Sequence, residues 1–176
     1  MQYKYLLHEQ DYIDFQLYSA SKSEDIRRKK RNGWIGLTVA FGIVALLSFF
    51  AGMIPHTVGW SIAAVMVLIF YPMYFMWRYK RHFENYTRKS HKNRFGESVI
   101  LEVHSDHIFT KDRTGEGKIY ISAIDQVNET SKHFFVQISS GMTLILPKEN
   151  INSEQLKEEF KALNIPIYQE LSWKWK

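Results

Sequence analysis

The chain has no cysteine. Disulfides, Cys-ligated metals and thiol nucleophiles are therefore excluded, and the absence suits a cytoplasmic setting for the soluble part. A second absence is more informative. From Gly33 to Trp77 there is no Asp, Glu, Lys or Arg, and His56 is the one side chain that titrates near neutrality. Pro55 and His56 divide this run into Trp34–Ile54 and Thr57–Trp77, 21 residues each. At about 1.5 Å per residue each helix would span about 31 Å, close to the hydrocarbon thickness of a bilayer. The competing reading is a buried helical pair in a soluble protein. Two such uncharged runs back to back speak against it, and the expectation is a transmembrane hairpin over residues 33–77.

The two spans differ in strength. Trp34–Ile54 carries eleven Leu, Ile, Val or Phe residues, whereas Thr57–Trp77 carries eight and contains Pro72. The first is expected to insert by itself and the second to gain from packing on it. Gly36 with Ala40, and Gly59 with Ala63, are small residues four apart that would let two backbones approach. Pro72 removes a backbone donor and is expected to bend the second helix as a tolerated kink. The first 26 residues are polar and the apolar run is too long for a cleaved leader, so the first span is expected to act as a signal anchor.

Charge is absent from the connecting turn and dense on the other side. Arg27, Arg28, Lys29, Lys30 and Arg31 precede the first span; Arg78, Lys80, Arg81, Arg88, Lys89, Lys92 and Arg94 follow the second. The positive-inside rule then puts both termini in the cytoplasm and only the tip around Met53–Thr57 outside. Trp34 and Trp77 mark the inner boundaries and Trp60 the outer one, as amphipathic rings at headgroup level. The candidate site residues are thus a membrane-interface set: Arg27–Arg31 with Trp34, Trp60, Trp77, Arg78, Lys80 and Arg81.

The net charge of +5 does not point to nucleic acid, because residues 1–94 carry +8 and residues 95–176 carry −3. The excess is a collar around the hairpin, and the C-terminal part offers no basic face to a phosphate backbone.

Outside the hairpin, Gln2–Leu7 reads as a strand and Glu9–Lys22 as a helix, with Asp11 as a candidate cap. Helix resumes at Glu24 into the first span. After Trp77 it is expected to continue, basic and amphipathic, through Arg94 until Gly96. From Glu97 the period changes to two, with Val99, Leu101 and Val103 on one face. Strands follow at His107–Lys111, Lys118–Ser122, Ala123–Glu129, Lys132–Ser139 and Met142–Leu146, with Asp112–Gly117 as a glycine-bearing loop and Ser140–Gly141 as a two-residue hairpin turn. Pro147 is expected to end the sheet. Ser153 is expected to cap a last helix with Leu156, Phe160 and Leu163 inward and Glu154, Glu158 and Glu159 in water. The core is expected to include Leu101, Val136, Leu144 and Phe160. The divisions are residues 1–32, a cytoplasmic strand, helix and collar; 33–77, the hairpin; 78–95, a juxtamembrane helix; and 96–176, a small cytoplasmic sheet domain. The fold class is α+β.

Motifs with chemistry are scarce. His104 and His107 flank a tight turn, where they are not expected to converge in the geometry a metal ion needs, and no further ligand is evident. Gly115-x-Gly117-Lys118 is too short for a phosphate loop and opens no helix. No paired carboxylates sit in an apolar run. No catalytic residue, cofactor or metal site is expected.

The layout resembles the YcxB-like family of small bacterial inner-membrane proteins. The resemblance lies in Asp11–Ser23, the basic run and hairpin, Lys111–Lys118, Ile124–Thr130, Ile145–Lys148 and the closing Trp173-Lys174-Trp175-Lys176. The chain departs from it at Tyr120-Ile121, where members often carry Trp. The resemblance implies a cytoplasmic C-terminal domain similar to pleckstrin-homology (PH)-like folds, a bent sheet closed by a helix, and implies no biochemical activity. Two roles remain open. One is a membrane-anchored module that offers a groove or strand edge to a cytoplasmic protein. The other is a lipid- or envelope-sensing module whose collar reads anionic headgroups. Self-association of the hairpin through its small residues is a third, weaker option.

Overall fold

The computed structural model describes residues 1–91 and 95–175. Lys92, Arg94 and Lys176 lie outside the described residues. The protein is α+β, with two long apolar helices and two sheets built from antiparallel pairs except at one edge. It forms two compact units. A sheet unit comprises Met1–Gln16 and Asn85–Lys174; a helical unit comprises Leu17–Glu84 with the tail at Trp175.

The sheet unit does not begin at residue 96. Its first strand is β1 (Gln2–Leu7), which pairs antiparallel with β2 (Glu97–Val103), Leu7 opposite Glu97 and Tyr3 opposite Leu101. The amide of Gly96 donates to the Leu7 carbonyl at 2.9 Å. Everything between residues 7 and 97 is therefore an insertion into what is locally a β-hairpin. The alternation of Tyr3 and Tyr5 with exposed residues gives β1 one buried face, which holds its register. Strands β3 (His107–Asp112) and β4 (Gly115–Tyr120) complete the first sheet in the order β1-β2-β3-β4.

The Asp112–Gly117 segment is shorter as a loop than its glycines suggested. Asp112 Oδ1 accepts from the Thr114 amide (2.7 Å), the Thr114 hydroxyl (2.6 Å) and the Gly115 amide (2.9 Å), so an Asx turn closes the hairpin and β4 starts at Gly115. Neither Gly115 nor Gly117 has a positive φ.

The second sheet has the order β7-β6-β5-β8, from β5 (Ile124–Glu129), β6 (His133–Ile138), β7 (Thr143–Pro147) and β8 (Ile167–Gln169). The β6–β7 connection is a three-residue loop closed by Ile138 N–H donating to Met142 O at 2.9 Å, with Gly141 at φ +86°. That is the left-handed third position such loops require, in place of the expected two-residue turn. Pro147 does not end the sheet, because β8 returns parallel to β5. One helix, α4 (Ser153–Ala162), is capped by Asn152, whose side chain accepts from the Gln155 amide at 3.3 Å; Ser153 is its first residue.

The two sheets and α4 share one core. Leu101, Ile108, Val127, Phe134, Val136, Leu146, Leu156 and Phe160 are fully buried within it. Phe134 meets Phe160 edge-on at 6.3 Å. Leu144 is half-buried against the cluster and is not central to it. Glu159 is not on the wet side with Glu154 and Glu158: it is half-buried and accepts from the Tyr3 hydroxyl at 3.1 Å. Burial first, and this carboxylate second, push the Tyr3 phenol up to about 12.

The helical unit contains most of α2 (Glu24–Phe50) and of α3 (Ile54–His91), following α1 (Glu9–Lys22). Ser23 caps α2, accepting from the Ile26 amide at 3.4 Å. The turn between α2 and α3 falls at Ala51–Met53 and not at Pro55-His56. Pro55 sits in the first turn of α3, where its missing amide costs no helical bond. The apolar runs are 6% buried, so no protein core encloses them.

Candidate functional site

Lys29 and Arg78 stand out among the residues expected at a membrane interface because α2 and α3 bring them to the wall of one cavity. Arg27 lies 3.8 Å from Glu24, and Lys80 lies 4.0 Å from Glu84, both on the surface. Among the described residues, neither Lys29 nor Arg78 has such a carboxylate. Arg81 lies over the Trp77 ring at 5.4 Å, and Trp60 stacks on Phe41 at 5.6 Å across the two helices. Arg28 and Arg31 are exposed and Lys30 is half-buried.

Trp34 has a more specific job than marking a boundary. Its indole N–H donates to the Leu68 carbonyl at 3.1 Å. Leu68 is four residues before Pro72, so its carbonyl has lost its normal intrahelical donor. The neighbouring helix replaces that bond, which is how a proline is accommodated inside an apolar helix pair. The close approach of the helices is likewise at Gly33, where an added methyl group would overlap the Tyr71 hydroxyl. Gly36 and Gly59 have open space beside them and are not in the α2–α3 contact. Sequence reasoning missed the Gly33–Tyr71 contact. Its only trace there is Gly33 one position before Trp34.

A second feature lies in the sheet unit. Among the described residues, strand β7 pairs with β6 alone. Ile138 bonds Met142, and Lys148 N–H donates to Lys132 O at 2.8 Å. Stepping by two between these pairs assigns Leu144 and Leu146 to the β6 ladder. Thr143 and Ile145 therefore turn their amides and carbonyls to the open side. There a groove of about 380 Å³ is lined by Thr143 and Ile145, by Tyr5 and Leu7 of β1, and by Thr110 and Gly117. Met142, at the head of β7, is 63% exposed.

Two buried polar clusters fasten this unit. Asp11 is not the cap of α1 but closes its first turn from inside, Oδ2 accepting from the His8 amide at 2.7 Å. Its other oxygen meets His133 Nε2 at 2.8 Å, tying α1 to β6. Glu129 accepts from Lys148 at 2.7 Å, and Lys157 pairs with its other oxygen at 3.0 Å. Burial alone would raise the Glu129 carboxyl, but the two lysines hold it below its ordinary range. These are structural pairings.

The rings of His104 and His107 stack at 4.6 Å, face to face. Each is engaged by a neighbouring carboxylate, His107 with Asp106 at 2.6 Å and His104 with Glu102 at 3.3 Å. The His107 bond holds Asp106 below its usual value. No group of three His, Cys, Asp or Glu suited to a metal ion occurs among the described residues.

Residues 103–164 match the family model described as YcxB-like protein. Over this stretch the chain is similar to that family. The matched part begins at the last residue of β2 and takes in β3 to β7 and α4, so it contains the open edge of β7 and excludes β1 and both apolar helices. No curated protein matches the chain.

Proposed function

We propose that the protein is a membrane-anchored interaction module without catalytic activity. Its hairpin would sit in a bacterial inner membrane with both termini cytoplasmic, and its PH-like sheet unit would offer the β7 edge to an extended segment of a protein partner. The observation that carries this reading is the one-sided pairing of β7 above a groove. An extended peptide gains main-chain hydrogen bonds from such an edge and side-chain specificity from the adjoining groove. Two four-stranded sheets around one core, closed by α4, support the PH-like assignment. The exposed apolar helices and the one-sided basic collar support membrane insertion. The lipid- or envelope-sensing alternative has in its favour Lys29 and Arg78, two cations on one cavity wall that have no carboxylate partner among the described residues.

The test places a photocrosslinking residue at Met142 in the full-length protein in cells. Thr143→Pro then removes an outward amide without touching the β6 ladder, a change edge strands tolerate. A protein captured from Met142 and lost with Thr143→Pro is the expected result. Capture that is indifferent to Thr143→Pro, or no capture, would dismiss the edge as the site.

A further inference from the structure

We propose that the inner end of the helix pair is a binding site for one anionic phospholipid, with its phosphate held by Lys29 and Arg78. This rests on the hairpin being inserted in a membrane. The cavity measures about 580 Å³, within the range of small-molecule sites and large enough for a headgroup and the first methylenes of its chains. Lys29 and Arg78 give it two cations without a carboxylate partner among the described residues, and His82 adds a third polar wall. Leu37 and Phe75 add apolar lining, Leu37 on the side away from Lys29.

The order of these residues along the helices selects the ligand. On α2, Lys29, Gly33 and Leu37 follow at intervals of four and lie on one stripe. Gly33 is the notch filled by Tyr71. On α3, which runs the other way, His82 and Arg78 give way to Phe75 and Tyr71. Both walls thus change from cationic to apolar in the same direction over about 12–16 Å. A free phosphate would use only the cationic end. A phospholipid uses both, head outward and chains toward the centre of the uncharged run. Basic pockets between membrane helices at the cytoplasmic side are suited to such headgroups, and each basic residue adds about 1 kcal/mol near an anionic surface.

The experiment is native mass spectrometry of the full-length protein from micelles titrated with phosphatidylglycerol, with phosphatidylcholine as zwitterionic control. A one-to-one phosphatidylglycerol adduct is expected. Lys29→Gln with Arg78→Gln should weaken it by about tenfold or more, as two lost cations imply. Arg28→Gln with Arg31→Gln removes the same charge from outside the cavity and should leave the adduct within about threefold. Leu37→Trp, which keeps both cations and fills the apolar end, should also abolish it. Millimolar inorganic phosphate should not displace it. Equal loss in the two charge pairs, an adduct that survives Leu37→Trp, or displacement by phosphate would each overturn the lipid site. Insertion is read separately, from labelling of a His56→Cys variant by a membrane-impermeant thiol reagent in intact cells. Absence of labelling there would remove the hairpin topology itself, whereas labelling with no one-to-one adduct would remove the lipid site alone.

Discussion

Trp34 and Pro72 lie 38 positions apart, yet one explains the other. The Leu68 carbonyl needs a donor because residue 72 has none, and the Trp34 indole supplies it. The two positions should therefore be coupled. Trp34→Phe should destabilise the helix pair by about 1 kcal/mol, in the range of interhelical hydrogen bonds in membranes. In a Pro72→Ala background the helix satisfies Leu68 by itself, and Trp34→Phe should cost about half as much. Unfolding in mixed micelles measures both, and additive effects would deny the coupling. Glu129 makes a second prediction at this scale. Lys148 and Lys157 depress its carboxyl below the ordinary 4.5. A depressed carboxylate contributes fully above its unfolded pKa and loses that contribution as pH falls through the folded one. Glu129→Gln should cost about 3 kcal/mol near neutrality, because it leaves two largely buried lysines without their acid. The gap to the unsubstituted protein should narrow below pH 4.5. A gap that does not change with pH would assign the loss to packing instead.

Single elements separate what their own residues encode from what their neighbours impose. Helix α4 was legible in phase, since Leu156 and Phe160 at i, i+4 are both fully buried. Its cap was misassigned by one residue because Asn152 and Ser153 are both good caps, and only the backbone decides between them. Asn152 is extended and its side chain holds the Gln155 amide, whereas the Ser153 hydroxyl turns back to the Ile151 carbonyl at 3.5 Å. Asn152→Ala should therefore cost about 1 kcal/mol and Ser153→Ala under about 0.5 kcal/mol by thermal melting. Equal costs would return the cap to Ser153. The hairpin tip shows the same limit. Pro55 is compatible with a turn or with a first helical turn, and helical bonding of the residues around it settles which. Strand β8 has three residues, too few to show a period.

At the scale of the whole molecule, the uncharged run was the clearest signal and the division of the chain the least clear. Residues 33–77 declare themselves by composition alone. Nothing local in Gln2–Leu7 tells that its partner is Glu97–Val103, because strand pairing across so long an insertion leaves no periodic trace. The basic residues flanking the uncharged run are plain in the sequence, but the sharing of one cavity by Lys29 and Arg78 depends on the register of α2 against α3. The split sheet makes the last prediction. Residues 96–176 taken alone lack β1, so the β2 edge is bare and the core loses Tyr3 and Tyr5. Two buried aromatics correspond to several kcal/mol, comparable with the whole stability of a small domain. That fragment should give a collapsed amide NMR spectrum. Met1–Gln16 joined by a flexible Gly/Ser linker to Asn85–Lys174 restores β1 and Asp11, the partner of His133. It should give a dispersed one, and Leu7 and Glu97 should show the cross-strand contacts of their register. A dispersed spectrum from residues 96–176 alone would mean that the sheet does not depend on its first strand, and that the domain does begin after α3.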